Sequence, residues 1–170
     1  MSTVKIFADS TSDLPQVWKD TYDIGIIPLY VVFGDETYRD GLDITPEDVY
    51  ERVAASGSLP KTAAPSPADF MAAFTPAIDA GHDIVYISLS SALSSTYQNA
   101  LLAAGEFPDR RIKVIDSRTL CGGIALLVMK AVRAASKGHS AAEIADMLER
   151  YRDLVETEFV VDTLDYLYMG

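Results

Sequence analysis

Short apolar runs and longer amphipathic stretches alternate along the chain, and each type predicts a different element. Runs at residues 4–8, 83–88 and 111–116 are rich in Ile and Val and predict buried strands. Residues 25–33 (GIIPLYVVF) predict a further strand that leads into a hairpin turn. Pro28 inside this run indicates an edge position or a bulge, because proline has no N–H to donate.

Capping residues mark the predicted helix starts. Thr45 and Ser66 each precede a proline that suits the first helical position, and acidic residues follow in the first turn. Ser140, three residues before a glutamate, begins a capping-box pattern for the last helix. Gly138 suits the left-handed position that ends the helix before it. Prolines hold residues 60–65 in an extended loop.

Strands that alternate with helices indicate an α/β fold, with a mostly parallel sheet flanked by helices on both faces. Residues 1–155 supply enough alternating elements for one such domain. The composition shifts near Glu156, and the apolar run at residues 159–163 predicts a strand beyond that shift. We therefore expect residues 156–170 to begin a second α/β domain.

The charge of the chain excludes one class of partner. The 170 residues carry a net charge of −11, and an acidic surface of this kind repels phosphates, so we expect no nucleic-acid partner. The most apolar stretch, at residues 122–135, contains Lys130 and Arg133 and is too short and too charged to span a membrane.

Cysteine and histidine usage indicates a cytoplasmic protein without a metal. Cys121 is the only cysteine, so no disulfide forms within the chain, and the N-terminus lacks the pattern of a signal peptide. The chain has 2 histidines, too few for a histidine-based metal cluster. Cys121 is either a reactive thiol near a helix N-terminus or, more simply, a small buried side chain.

A serine-rich turn follows the strand at residues 83–88 and leads into a predicted helix at residues 96–104. Backbone N–H groups and hydroxyls converge at the positive end of such a helix, which suits a carboxylate or a phosphate. Loops at the carboxyl ends of parallel strands are also where ligands bind. The alternative is plain helix capping, with Ser95 as the cap and Gln98 as its partner.

Acidic and nucleophilic side chains leave an enzymatic function open. Asp9 and Asp13 follow the first strand, as in phosphatases with an aspartate nucleophile, but their spacing is longer than that chemistry uses. An Asx turn or a helix cap is the simpler interpretation. A nucleophilic Ser94 would need a histidine, and neither His82 nor His139 follows a strand near a serine motif. A small hydrolase or phosphotransferase that uses the Asp9/Asp13 or Ser94 edge is the alternative function.

Several blocks of residues together resemble the DegV family. They are residues 7–15 (FADSTSDLP), 27–29 (IPL), 38–41 (YRDG), 61–67 (KTAAPSP), 93–98 (LSSTYQ), 114–117 (VIDS) and 165–170 (DYLYMG). Each block alone is a weak motif, but they occur in order across the whole chain. The chain is therefore similar to DegV-family proteins along its full length.

This resemblance implies a carrier that binds one long-chain fatty acid between two α/β domains and catalyses no reaction itself. It also implies a partner, a fatty-acid kinase, which phosphorylates the bound carboxyl group. Thr62 and Ser94 match the family residues whose hydroxyls hold the carboxylate. Ser95 replaces the usual glycine, which narrows the head-group site or adds a donor. With Ser10 and Thr96, these are the candidate ligand-binding residues, and we expect no catalytic residue and no cofactor besides the bound fatty acid.

The resemblance further implies that a second domain continues beyond Gly170, supplying basic residues near the carboxylate and one wall of the acyl tunnel. Residues 159–169 would then have no sheet to join. Leaving them in water would expose an apolar patch and a strand edge. We therefore expect self-association through this segment, and weak fatty-acid binding by the chain alone.

Overall fold

The computed structural model describes residues 3–107, 111–165 and 168. In chain order its strands are β1 (Val4–Asp9), β2 (Gly25–Ile27), β3 (Tyr30–Phe33), β4 (Glu36–Arg39), β5 (Lys61–Ala63), β6 (Asp83–Ser88) and β7 (Ile112–Asp116). Its helices are α1 (Gln16–Thr21), α2 (Pro46–Ser56), α3 (Pro67–Asp79), α4 (Thr96–Gly105), α5 (Gly122–Ser136) and α6 (Ala141–Tyr151).

The larger sheet is wholly parallel and has the strand order β2-β1-β6-β7. Its centre is the pairing of β1 with β6, which begins at Val4 opposite Asp83. Helices cover both faces of this sheet, as expected for parallel strands joined by crossovers. The prediction of an α/β fold with a mostly parallel, doubly covered sheet is confirmed.

A second, antiparallel sheet has the order β4-β3-β5 and corrects two predictions. The run at residues 25–33 is two strands, because Pro28 ends β2 and the chain enters a different sheet at β3. Residues 60–65 are not only an extended loop, since Lys61–Ala63 pairs with β3 as β5. Prolines on either side keep β5 short, because proline cannot extend a hydrogen-bonded ladder.

Side chains alternate between the two faces of the parallel sheet. One face packs against α5 and α6, and its buried residues include Ile6, Ala8, Val85 and Ile87. The other face packs against α3 and α4 and is aromatic. Its buried rings are those of Phe7, Phe70, Phe74 and Tyr86. Phe7 with Phe74 and Phe70 with Tyr86 meet edge to face, and the other two neighbouring pairs are tilted, with centroids 5.2 to 5.9 Å apart.

The predicted helix caps are confirmed. The side chains of Thr45, Ser66 and Ser140 each accept the backbone N–H of the third helical residue, and the carboxylate of that residue accepts the backbone N–H of the cap. Gly138 follows α5 with a φ of 85°, in the left-handed region predicted for it. These contacts fix where α2, α3 and α6 begin.

The strand predicted at residues 159–163 is not formed, and that prediction is wrong. Phe159 is 71% exposed and Val160 is 99% exposed. Neither sheet pairs with this segment in the part of the chain that the structure describes, so its apolar side chains bury little. The proposed boundary at residue 156 stays a prediction, and residues 166, 167, 169 and 170 of the last DegV-like block lie outside the described residues. No helix in the described ranges is long and apolar enough to cross a membrane.

Candidate functional site

The loops that follow β1, β6 and β7 meet at the carboxyl edge of the parallel sheet. The strand register places Asp9 opposite Ile27 and Ser88 opposite Asp116, so these strands end at the same level. Ligands of parallel α/β sheets bind outside this edge. A ligand of this sheet would therefore lie beside the residues of its carboxyl edge.

Asp9 is fully buried and holds the edge together. Its Oδ1 accepts a hydrogen bond from the Thr11 hydroxyl at 2.5 Å. Its Oδ2 accepts one from the Leu89 backbone N–H at 2.7 Å and one from the Tyr86 hydroxyl at 3.2 Å. Burial raises the pKa of Asp9 above its ordinary value, and these hydrogen bonds only partly offset that effect. Asp9 thus ties β1 to the end of β6 and is not presented to solvent as a nucleophile.

Ser94 and Thr96 form a pair of hydroxyls where α4 begins. Their oxygens lie 2.8 Å apart, and Ser94 Oγ also accepts the backbone N–H of Thr96 at 3.2 Å. Thr96 is fully buried, whereas Ser94 is half-buried. N–H groups in the first turn of a helix have no partner within the helix, so the positive end of α4 lies beside this pair. The arrangement suits one anionic oxygen atom or group.

Ser95 does not cap α4 as the capping alternative requires. It stands at the cap position, but its side chain accepts no hydrogen bond from the first turn. Ser94 Oγ instead accepts the N–H of Thr96, the first residue of α4. Ser95 is exposed, so its hydroxyl faces solvent at the helix start.

Ser10 has a structural partner at the junction of the two sheets. Its Oγ accepts the backbone N–H of Leu29 at 3.1 Å, directly after Pro28. The Leu29 carbonyl in turn accepts the N–H of Asp40 at 2.9 Å. Ser10 therefore anchors the start of β3 to the end of β1.

Thr62 lies on β5, opposite Val31 of β3. Directly opposite residues of antiparallel strands point to the same face, so Thr62, Val31 and Tyr38 share one face of the smaller sheet. Thr62 is exposed. The segment that follows it is fixed to α4, because Asn99 Nδ2 donates to the Pro65 carbonyl at 2.8 Å.

The structure places Ser94, Ser95 and Thr96 in one turn, and Ser10 directly after the adjacent strand β1 at the same edge. Thr62 is in the other sheet, and its link to α4 is the indirect one through Pro65. The sequence pattern did not identify Asn99, which no motif singles out.

Asp116, at the end of β7, organises the turn after β6. Partial burial acts to raise its pKa, but hydrogen bonds from the Ser91 hydroxyl and from the Ser91 and Arg118 backbone hold the pKa of Asp116 below its ordinary value. The VIDS block in the sequence contained the signal, since it ends in this carboxylate and a buried serine.

Neither described histidine lies beside Ser94, and Cys121 is poorly ionised. His82 directly precedes β6 and bonds to Thr3, so it lies at the opposite, amino edge of the sheet. His139 lies in the turn between α5 and α6, facing Glu143. Burial, together with the hydrogen bond and charge of Asp13, raises the pKa of Cys121 to about 11, which disfavours its thiolate. Within the described ranges, no group of His, Cys, Asp and Glu could hold a metal ion.

Comparisons with known proteins point to one family. A family model described as "uncharacterised protein, DegV family" matches residues 3–170. A DegV domain-containing protein of Clostridium perfringens is 34% identical over 170 residues, covering 100% of this chain and 61% of the relative.

Solved structures show the same similarity. The structure of a DegV family protein from Thermus thermophilus, described as fatty acid binding, has a TM-score of 0.81 and 34% identity, covering 89% of this chain and 54% of that one. That of a stearic acid-binding protein from Eubacterium ventriosum has a TM-score of 0.77 and 33% identity, covering 88% and 52%. The chain spans about 60% of the length of the curated relatives it matches.

Proposed function

This chain belongs to the DegV family, and we propose that it binds a long-chain fatty acid with the carboxylate at the carboxyl edge of the parallel sheet. The observation that carries this proposal is the pair of hydroxyls on Ser94 and Thr96 at the positive end of α4. Structures of relatives at 33% and 34% identity, described as fatty acid binding, support the class of ligand.

On the side of the head group that this chain supplies, hydroxyls and helix N–H groups hold the carboxylate. Ser94 Oγ already accepts the Thr96 N–H. When the Thr96 hydroxyl also donates to it, the proton of Ser94 is free for a carboxylate oxygen. Ser95 lies exposed at the same helix start and supplies a further donor. We assign Thr62 and Ser10 to the side of the head group that faces the smaller sheet.

Tail and head contribute differently to binding. Burying each methylene is worth about 0.8 kcal/mol, so roughly fifteen of them give a transfer free energy on the order of 12 kcal/mol before ordering costs. A carboxylate at a helix N-terminus contributes only about 0.3–2 kcal/mol. The tail therefore sets the affinity, while Ser94 and Thr62 set the orientation of the carboxylate.

Orientation matters because we infer that the bound acid is presented to a fatty-acid kinase in the cytoplasm. The chain lacks the glycine-rich loop that cradles nucleotide phosphates, since Lys61 and Thr62 are not preceded by its glycines. We therefore place the nucleotide on the partner enzyme and not on Lys61 or Thr62. A kinase must reach the same carboxylate oxygen in each cycle. Hydroxyls that are fixed at the start of a helix hold the carboxylate in one orientation.

Extraction of the purified chain with organic solvent, followed by mass spectrometry, tests the proposal. We expect long-chain fatty acids in less than equimolar amount, and saturable binding of a fluorescent fatty acid that unlabelled fatty acid displaces. Absence of both, together with turnover of ester or phosphate substrates that depends on Asp13 or Ser94, would establish the hydrolase or phosphotransferase alternative instead.

A further inference from the structure

A surface groove of about 920 Å³ runs along α5, between α1 on one side and α6 on the other. Its lining extends from Gly122, near the carboxyl edge, to Lys137 at the far end of α5. The 15 residues of α5 span about 22 Å. The groove is therefore long enough to seat about four turns of another helix.

Apolar side chains in this groove are left in solvent. Leu126 of α5 is 64% exposed and Leu154, just after α6, is 74% exposed. Trp18 and Tyr22 at the α1 side and Tyr151 at the α6 side add exposed aromatic rings. Clustered exposed apolar groups of this kind mark interaction surfaces, and aromatic side chains are enriched in them.

The charge of the groove is opposite to that of the chain. The chain has 25 acidic and 14 basic residues, but the described lining of the groove contains Lys130, Arg133 and Lys137 and no Asp or Glu. Lys130 stacks over the Tyr151 ring at 3.2 Å. Leu126, Lys130, Arg133 and Lys137 are spaced i, i+4, i+7 and i+11, so they form one stripe along α5.

We propose that this groove docks an acidic amphipathic helix of a partner protein. A helix with carboxylates at the same spacing meets the basic stripe, and its apolar residues cover Leu126 and the aromatic rings. The concave shape fits a rod, whereas a flat bilayer would touch only the rims of the groove. This docking site is independent of the fatty-acid proposal, because none of the head-group residues lines the groove.

Trp18, the single tryptophan of the chain, reports directly on this groove. The probe is a synthetic helical peptide of about 18 residues, with Glu at the spacing of the basic stripe and Leu beside it. A second peptide with Lys in place of every Glu is the matched control. We expect the acidic peptide to shift Trp18 emission to the blue in a saturable titration that added salt weakens, and the basic peptide to leave it unchanged.

Charge reversal in the groove tests the assignment. The Lys130→Glu/Arg133→Glu variant should bind the acidic peptide at least about 10-fold more weakly, since like charges now face each other. The Lys61→Glu/Lys113→Glu variant carries the same change in net charge outside the groove and should bind as the parent does. Circular dichroism verifies folding, and Arg133→Gln/Lys137→Gln, which removes charge without reversing it, should give a smaller loss.

Several results would overturn the proposal. Equal binding by the groove variant and the parent would show that the groove is not the site. Equal binding of the basic peptide would remove the charge argument. A blue shift that depends on protein concentration alone would identify a second copy as the occupant. A shift with phosphatidylglycerol vesicles that the acidic peptide cannot compete away would identify a membrane.

Discussion

Ser94 has two partners before any ligand arrives, the hydroxyl and the backbone N–H of Thr96. Replacing Ser94 by Ala removes a head-group donor and a bond of the helix start. We expect Ser94→Ala to cost about 1 kcal/mol of stability and to leave most of the fatty-acid affinity, because the tail dominates binding. If the proposed kinase partner acts on the bound acid, its phosphorylation of the carboxylate should fall clearly, since the carboxylate loses its fixed orientation.

Urea denaturation, fatty-acid titration and a kinase assay measure these effects, in a longer form of the protein if this chain binds too weakly. Ser136→Ala is the control, because Ser136 is exposed at the end of α5, far from the carboxyl edge. Unchanged phosphorylation in Ser94→Ala would remove Ser94 from the head-group site.

Thr62→Val keeps the β-branched shape that suits β5 but loses the hydroxyl. Thr62 is exposed and makes no buried contact that valine would disturb, so stability should be unchanged. If the hydroxyl bonds the carboxylate, its loss costs about 1.5–3 kcal/mol, or roughly 10- to 150-fold in dissociation constant. Competition between a fatty acid and its methyl ester checks this, because only the acid should lose affinity. Equal losses for both would place Thr62 against the tail.

The buried Asp9 carboxyl should lower the free energy of unfolding as the pH rises, whereas most carboxyl groups of folded proteins raise it. Burial raises its pKa from an ordinary value near 3.8, so the folded protein holds this proton more tightly than the unfolded chain does. The contribution of Asp9 to the free energy of unfolding is therefore greatest below about pH 3.8 and falls as the pH rises through the raised pKa.

The Asp9→Asn variant cannot ionise and should lack this fall. Relative to the parent, it should gain stability in urea denaturation as the pH rises above about 3.8 and through the raised pKa of Asp9. Carboxylates with lowered pKa values, such as Asp43 and Asp116, have the opposite dependence but are common to both proteins and cancel in the difference. A stability difference that is constant with pH would contradict the buried, proton-holding position of Asp9.

At the scale of elements, the close pairing of β2 with β1 depends on a glycine. A Cβ atom on Gly25 would lie 2.3 Å from ring atoms of Phe7. Gly25→Ala should therefore force the ring or the strand to move and cost roughly 1–3 kcal/mol of stability. Gly105→Ala is the matched control, because a Cβ there meets nothing within 4 Å and alanine favours the helix end. Thermal unfolding of both variants measures this difference. Equal unfolding midpoints for Gly25→Ala and Gly105→Ala would show that β2 is not held at this register.

Elements that depend on local signals were predictable from the sequence. The caps at Thr45, Ser66 and Ser140 are formed by residues three positions apart, so a short window contains the whole interaction. The break at Pro28 was predicted only as a bulge or an edge, because the alternative sheet that receives β3 depends on partners far along the chain. The prediction of a strand at residues 159–163 was wrong for the same reason. A strand needs a neighbouring strand to pair with, and no local sequence pattern shows whether one is present.

The candidate site likewise contains residues that local sequence predicted and residues that it did not. A turn between a strand and a helix predicted that Ser94 and Thr96 would lie at a carboxyl edge, and they do. Thr62 was predicted to lie on a proline-held loop and was assigned to the carboxylate by family resemblance, but its place on a separate antiparallel sheet could not be predicted from its surroundings in sequence. Asn99, which fixes the Thr62 segment to α4, carries no pattern of its own.

At the scale of the whole molecule, the exposed segment at residues 156–165 should drive self-association. We expect light scattering to show a mass that grows with protein concentration, because burying Phe159 and Val160 between copies removes apolar surface from water. The Phe159→Ser/Val160→Ser variant should remain closer to a monomer. Trp18 emission should not change with concentration, since the segment and the groove are different surfaces. A parent chain that stays monomeric at all concentrations would contradict this expectation.

The order β2-β1-β6-β7 has a consequence for how the protein is made. The central strand β1 is synthesised first, but one of its two neighbours is β6, and the Asp9 carboxylate finds the Leu89 N–H 80 residues later. At about 5–20 residues per second, a ribosome needs roughly 4–16 s to add that length. During this interval the apolar residues of β1 are not yet covered by pairing with β6. Nascent chains of this protein should therefore need protection by chaperones until β6 has left the ribosome.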